Sequence, residues 1–386
     1  MTTLMSKPAK IFLVAGENSG DMHGANLVRH IKRLRPDWEL AGVGGPQMEK
    51  AGMKLLRNMV NDLAIVGFME VISKAPTIWR VRNMIKAHLE KDRPDAIILI
   101  DYPGFNLLLM APLAKKLGIK VLYYIVPQFW AWHRSRVKRF KKYCDKIFPI
   151  FPFEEKMLQQ EGINATYLGH PLLDVMKLTM TREQVFERFQ FDPEKRLIGM
   201  LPGSRKREVR VLLPIMLEAA QRMLDVGEKV QFVLPRSQTI SLDLIDTYLT
   251  QYDVPVHVVD QYRFNVRAAL DFAWVKSGTS TLEGALLGVP FLIIYKVRYI
   301  TGWIAKVLIN TPFIGLPNIV AGDLIVPELL QDQATGQNLA EQTLHYLHDQ
   351  TAYENMRYQL QKIQRIFGPP GSSKRTAEAT VAFLES

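Results

Sequence analysis

A single cysteine, Cys144, is all that 386 residues contain, so no intrachain disulfide and no cysteine-based zinc site can form. That scarcity fits a reducing, cytoplasmic setting. No apolar run approaches the roughly eighteen residues a spanning helix needs. The opening residues, MTTLMSKPAK before IFLVAGE, lack the apolar core and small-residue cleavage site of an export signal, so the first apolar run is expected to be a strand. The G-x-G-x-x-G spacing of a dinucleotide fingerprint is absent, which argues against hydride transfer. No zinc-finger, helix-turn-helix or RNA-binding signature is apparent, and the basic residues form no long arm.

Positive charge is in excess. A net charge of +11 calls for an acidic counterpart; without nucleic-acid signatures, that leaves an anionic membrane surface and a phosphorylated substrate. A hydrophobic content of 48% and the length allow two domains, each with its own core.

Apolar runs of strand length recur along the chain and end in turn residues. In the first half they are 10–15, 38–43, 95–100, 121–126 and 147–152; in the second, 196–201, 229–234, 254–259, 272–276 and a run from Pro290. Helical patterns alternate with them, so the chain reads as α/β with two doubly wound parallel sheets. Near-continuous apolar strands such as DAIILI imply a sheet covered on both faces. The charged stretch 180–191 marks the expected hinge. The domains expected are 1–172, 173–355 and a carboxyl-terminal helical segment, 356–386, that returns to the first domain or is exchanged with another copy.

Candidate site residues stand at strand ends, where open α/β sheets bind ligands. Gly16-Glu17-Asn18-Ser19-Gly20-Asp21 follows the first strand, with Asp21 suited to cap the next helix. Asp101 ends a central strand and is a candidate general base; an Asx-turn opening the Pro-Gly loop is the alternative. Pro127-Gln128-Phe129-Trp130-Ala131-Trp132 leads into the basic run His133 to Lys142, a solvated face or a shelf for a sugar or acyl chain with its phosphate on the arginines. Pro202-Gly203-Ser204-Arg205 offers backbone and charge to a leaving diphosphate. Ser277-Gly278-Thr279-Ser280-Thr281 opens a helix whose unpaired N–H groups suit a diphosphate, with Glu283 placed for a ribose; Ser280 and Glu283 also spell a capping box that needs no ligand. The apolar stretch 63–72 before a basic helix is either core or an exposed membrane-contact patch.

Taken in order, Ala15 to Asp21, Ile100 to Asn106, Pro127 to Trp132, Gly169-His170-Pro171, Leu201 to Arg205, Ser277 to Glu283 and Leu316-Pro317-Asn318 resemble the lipid-A-disaccharide synthase family over nearly the whole chain. The resemblance implies a GT-B fold with a cleft between two Rossmann-like domains. It implies an inverting glycosyltransferase that needs no metal or cofactor, joining UDP-2,3-diacylglucosamine to 2,3-diacylglucosamine 1-phosphate at the inner face of a Gram-negative inner membrane. By the same match, Asp101 would deprotonate the acceptor 6-hydroxyl and Arg205 would stabilise the leaving group. Ser204, Ser277, Gly278, Thr279, Ser280, Glu283, Asn318 and Gln331 would bind UDP, while Glu17, Ser19, His23 and Trp132 would face the acceptor. The segment 65–72 would touch the membrane, and a homodimer could exchange carboxyl-terminal segments. Tyr102 and Gly104 depart from some relatives in the acceptor loop. The rivals are a UDP-N-acetylglucosamine 2-epimerase, another glycosyltransferase of the same architecture, and a nucleotide-sugar-binding protein without catalysis.

Overall fold

The computed structural model describes residues 8–59, 75–132, 135–296 and 312–386. Its contacts divide the chain into two units, residues 1–174 with 369–386, and residues 175–368. The helix Gln350–Phe367 belongs to the second unit, because Leu360, Ile363 and Phe367 are buried and Gln364 donates to the Leu286 carbonyl. The sequence expectation begins the returning segment earlier, at 356, since helical periodicity does not show which core a helix faces.

In the first unit β1 (Lys10–Ala15), β2 (Glu39–Gly44), β3 (Lys54–Asn58), β4 (Ala96–Ile100), β5 (Lys120–Tyr124) and β6 (Lys146–Phe148) form one parallel sheet in the order β3-β2-β1-β4-β5-β6. Side chains alternate along a strand, so β1 sends Phe12 and Val14 to one face and Ile11, Leu13 and Ala15 to the other. The first face is covered by Val81, Ile85 and Leu89 of helix Ala75–Asp92 and by Leu107, Met110 and Ala114. The second is covered by Leu27, Val28 and Ile31 of helix Asn18–Leu34, against which the last helix, Ser372–Glu385, packs through Ala377. Each large side chain buried this way contributes about 1.5–3 kcal/mol, which is why both faces can hold strands with no polar residue.

The second unit repeats the plan. Strands β7 (Arg196–Leu201), β8 (Val230–Pro235), β9 (Val256–Val259), β10 (Phe272–Lys276), β11 (Phe291–Tyr295) and β12 (Glu328–Leu330) run parallel in the order β12-β11-β10-β7-β8-β9. Both sheets therefore reverse direction of strand progression once, between β1 and β4 and between β7 and β10. At that reversal the helices leave for opposite faces and open a crevice at the carboxyl ends of the strands.

Local readings are corrected in two places. Asp21 does not cap its own helix: its carboxylate accepts N–H bonds from Gly45, Gln47 and Met48 at 3.0–3.1 Å and so caps the helix Pro46–Lys50. Ser280 caps nothing; the N-cap of helix Thr279–Leu287 is Gly278, without a side-chain cap bond. The apolar stretch 63–72 lies outside the described residues.

Candidate active site

In the first unit the crevice is built around Asp101. Asp101 and Tyr102 both adopt left-handed backbone, φ 47° and 48°, a conformation that costs a non-glycine residue about 1–3 kcal/mol and persists only where neighbours enforce it. Those neighbours are identifiable. Asn106, fully buried, donates its amide to the carbonyls of Ile100 (3.0 Å) and Asp101 (2.8 Å) and weakly to that of Val14 (3.4 Å), tying the ends of β1 and β4 together. Tyr123 donates its hydroxyl to the Asp101 carbonyl at 2.7 Å, and the Asp101 N–H bonds the Tyr124 carbonyl at 2.9 Å. The Tyr102 ring lies over Gly16, where a Cβ would meet it at 2.4 Å, so any other residue at 16 would push the loop away. With its main chain fixed, the Asp101 carboxyl is half-buried and its pKa is raised to about 6, by burial first and then by the Glu17 carboxylate, against opposing pulls from the Tyr102 backbone N–H and, less, from the Arg136 charge. A carboxylate poised there is a competent general base near neutral pH.

Glu17 and Ser19 are exposed on the loop after β1. His23 is half-buried one turn into the helix; its Nδ1 has no hydrogen-bond partner, and burial lowers its pKa to about 4, so it is neutral at pH 7. The Trp132 side chain and residue His133 lie outside the described residues, whereas Trp130 donates its indole N–H to the buried Glu154 at 2.9 Å.

The second unit has a cavity of about 210 Å³ over the ends of β7, β8 and β10. Ser204, Thr279, Ser280 and Glu283 line it, together with Arg236, Ser237, Arg263 and Arg267, which the sequence reading did not select. Arg236 had a signal, since it directly follows β8; Arg263 and Arg267 sit on a short helix, Arg263–Ala268, whose pattern is unremarkable. Glu283 forms an ion pair with Arg267, both nearly buried, so its carboxylate is fixed at the cavity wall. Burial, and then the neighbouring Arg263 charge, pulls the Arg267 pKa down to about 9.

Two helices begin at this crevice, and they differ. In Lys206–Asp225 the start is already occupied: Glu208 accepts N–H bonds from Ser204 (3.1 Å) and Arg205 (3.3 Å), while its other oxygen meets the cations of Arg205 and Lys276, each at 3.1 Å. Burial opposes ionisation of Glu208, yet Lys276 and Arg205 hold its pKa below the usual range. Gly203, at φ 116°, permits this turn, since a Cβ there would sit 2.3 Å from the Glu208 carboxylate. Thr279–Leu287 instead starts at Gly278 with no side-chain cap; the Thr281 N–H bonds the Gly278 carbonyl at 3.0 Å, and the N–H groups of Thr279 and Ser280 with the positive dipole end suit an anion.

Five selected residues do not line the cavity: Arg205 and Gly278, placed above, and Ser277, Asn318 and Gln331. Ser277 donates its hydroxyl to the Ile314 carbonyl at 3.1 Å. Asn318 is wholly buried; its amide nitrogen donates to Val326 O and Glu328 Oε1, and its oxygen accepts from Ile325 and Val326 N–H, so its bonding capacity is used inside the protein. A polar residue in an apolar loop marked a loop brace here. Gln331 is half-buried at φ 49° in the turn after β12 and does not line the cavity.

A family model described as lipid-A-disaccharide synthetase matches residues 11–380. The lipid-A-disaccharide synthase of Nitrosococcus oceani is 39% identical over 375 residues, 97% of this chain and 96% of its own length. That of Geobacter sulfurreducens is 40% identical over 375 residues, 97% of each chain. Among solved structures, the UDP-GlcNAc 2-epimerase of Neisseria meningitidis bound to UDP-GlcNAc aligns with a TM-score of 0.67 at 15% identity, covering 97% of this chain and all of that one. Acinetobacter baumannii MurG aligns at 0.59 and 13% identity, covering 96% and 99%. At such identities these two speak for the fold alone.

Proposed function

The chain belongs to the lipid-A-disaccharide synthase family, and from that premise we propose which residues perform the transfer. The enzyme is a UDP-dependent glycosyltransferase that moves 2,3-diacylglucosamine from UDP to the 6-hydroxyl of 2,3-diacylglucosamine 1-phosphate, releasing UDP and the β-1,6-linked tetraacyl disaccharide 1-phosphate. Asp101 takes the hydroxyl proton as that oxygen attacks the anomeric carbon from the face opposite the diphosphate. The bond from C1 to the diphosphate oxygen breaks, and its electron pair leaves with UDP.

The departing charge settles on the open helix start at Thr279 and Ser280, with the Ser204 hydroxyl and the Arg205 guanidinium beside it. Glu283, held by Arg267, accepts from the ribose hydroxyls. Arg205 and Lys276 supply the positive charge at the diphosphate, so the reading requires no metal; turnover is expected to be unchanged by chelator. Glu17, Ser19 and His23 are assigned to the acceptor side. Ser277, Asn318 and Gln331 are assigned to shaping the loops around the donor.

Among the described residues no helix is long and apolar enough to cross a membrane. We place the protein on an anionic membrane surface because of its charge of +11 and because Trp79, 53% exposed, is stacked with the Arg82 guanidinium on helix Ala75–Asp92. In a homodimer exchanging carboxyl-terminal segments, the helix Ser372–Glu385 would make in trans the contacts it makes here within its own chain.

The observation that carries the reading is Asp101: a strained, half-buried aspartate whose every main-chain contact serves to aim it and whose pKa stands at about 6. The test is incubation of the purified protein with both acylated glucosamines, following lipid products by mass and UDP release. UDP appearing only when the acceptor is added is expected. UDP-sugar epimerisation, or full turnover by Asp101→Ala, would overturn the assignment.

A further inference from the structure

We propose that Arg136 is the residue that recognises the 1-phosphate of the acceptor, setting its 6-hydroxyl against Asp101. The inference rests on the function just proposed. Arg136 stands in the first turn of helix Ser135–Tyr143, which follows the loop after β5, the strand beside Asp101's own β4. One turn further on, Phe140 is fully buried with its ring edge-on to Tyr123 at 5.1 Å and to Phe129 at 6.2 Å. Residues four apart share a helix face, so Arg136 projects on the Tyr123 side. The Tyr123 hydroxyl is the group bonded to the Asp101 carbonyl at 2.7 Å.

The guanidinium is therefore close enough to bias the ionisation of both Asp101 and Tyr123, yet it forms no ion pair with any carboxylate among the described residues. Among the described residues of the basic run it is singular. Lys138, Arg139, Lys141 and Lys142 are exposed, as a solvated face would be, whereas Arg136 is half-buried. Taking a guanidinium partly out of water without a counter-ion is costly, so an anion brought by the substrate completes the site. The donor diphosphate has its own cations in the second unit, Arg205 and Lys276 among them. The acceptor carries its phosphate one pyranose ring away from the hydroxyl that must reach the base. A cation beside the base without touching it matches that spacing. Direct pairing would instead hold Asp101 ionised but too weak as a base.

The test uses the full-length enzyme, Arg136→Gln and Arg136→Lys, with UDP-2,3-diacylglucosamine as donor. The acceptor is either 2,3-diacylglucosamine 1-phosphate or the same sugar without phosphate. Wild type is expected to favour the phosphorylated acceptor roughly 10–100-fold in kcat/KM. Arg136→Gln should lose most of that preference while staying within about threefold of wild type on the unphosphorylated sugar, with the donor KM unchanged. Arg136→Lys should keep part of it. The acid limb of the Arg136→Gln pH profile should also move above about 6, because a charge that favours ionised Asp101 is gone. Equal slowing on both acceptors, or a rise confined to the donor KM, overturns the inference. If wild type forms no disaccharide from either acceptor, the proposed function falls with it; turnover with an unchanged preference in both variants overturns the role of Arg136 alone.

Discussion

At the scale of single residues, Asp101 holds function and stability in opposition. If Asp101 is the base proposed above, only its ionised carboxylate accepts the hydroxyl proton, so kcat/KM should fall as pH drops through about 6. Removing the neighbouring negative charge makes ionisation easier; Glu17→Gln should therefore move this limb to lower pH. The same raised pKa has a folding consequence of opposite sense. In the unfolded chain the group ionises near 3.9, so the folded state is penalised as pH rises from there to about 6, and the penalty is complete above that. Asp101→Asn, which also tolerates left-handed backbone, should be inactive yet more stable than wild type by roughly 1–3 kcal/mol at pH 8, with no advantage near pH 4. Urea unfolding at the two pH values measures this. A variant that is less stable at pH 8 would show that the carboxylate is not desolvated.

At the scale of elements, Glu208 is the corresponding part in the second unit, and its sign is reversed. Its folded pKa is lowered by Lys276 and Arg205, so its contribution is present above the unfolded value near 4.3 and lost as pH falls through the lower folded one. Glu208→Gln should cost on the order of 1–2 kcal/mol at pH 7 and progressively less as pH falls below about 4.3, read by denaturant unfolding. It should also weaken UDP binding measured by calorimetry, because Arg205 and Lys276 lose the carboxylate that gathers them. These helix starts show what the sequence made legible. Apolar runs such as AIILI and VQFVLP revealed the strands because a sheet covered on both faces has no other composition, and glycine, serine and threonine after them revealed the crevice. Partners remote in sequence were not legible. Nothing near Asp21 shows that the N–H groups it caps belong to the helix at Pro46, and nothing near Glu283 shows Arg267. Nor does the sequence near Asn318 show that its amide is already bonded to Ile325, Val326 and Glu328 across a turn.

At the scale of the molecule, the chain leaves the first unit after Asp174 and returns to it at Pro369, and one carboxylate marks both points. Asp174 accepts N–H bonds from Gly371 (2.6 Å), Ser372 (3.2 Å) and Ser373 (2.6 Å), capping the last helix. Arg375 adds bonds to the carbonyls of Leu168, Pro369 and Pro370, and the Ser372 hydroxyl reaches that of Gly169. The final helix is thereby fastened at its start, and its apolar face lies on the helix Asn18–Leu34, which begins two residues beyond Gly16 under Tyr102. Loss of the Asp174 carboxylate would strand three N–H groups at a helix start, a cost of about 1–3 kcal/mol borne by the first unit alone. In the full-length protein, Asp174→Ala should thus speed hydrogen exchange in residues 371–385 and 18–34 while leaving 196–296 unchanged. Because helix Asn18–Leu34 carries His23 and follows the Glu17 loop, the variant should raise the KM for the acceptor more than that for the UDP-sugar. Faster exchange spread evenly over both units would mean that the carboxylate supports the whole fold rather than this one fastening.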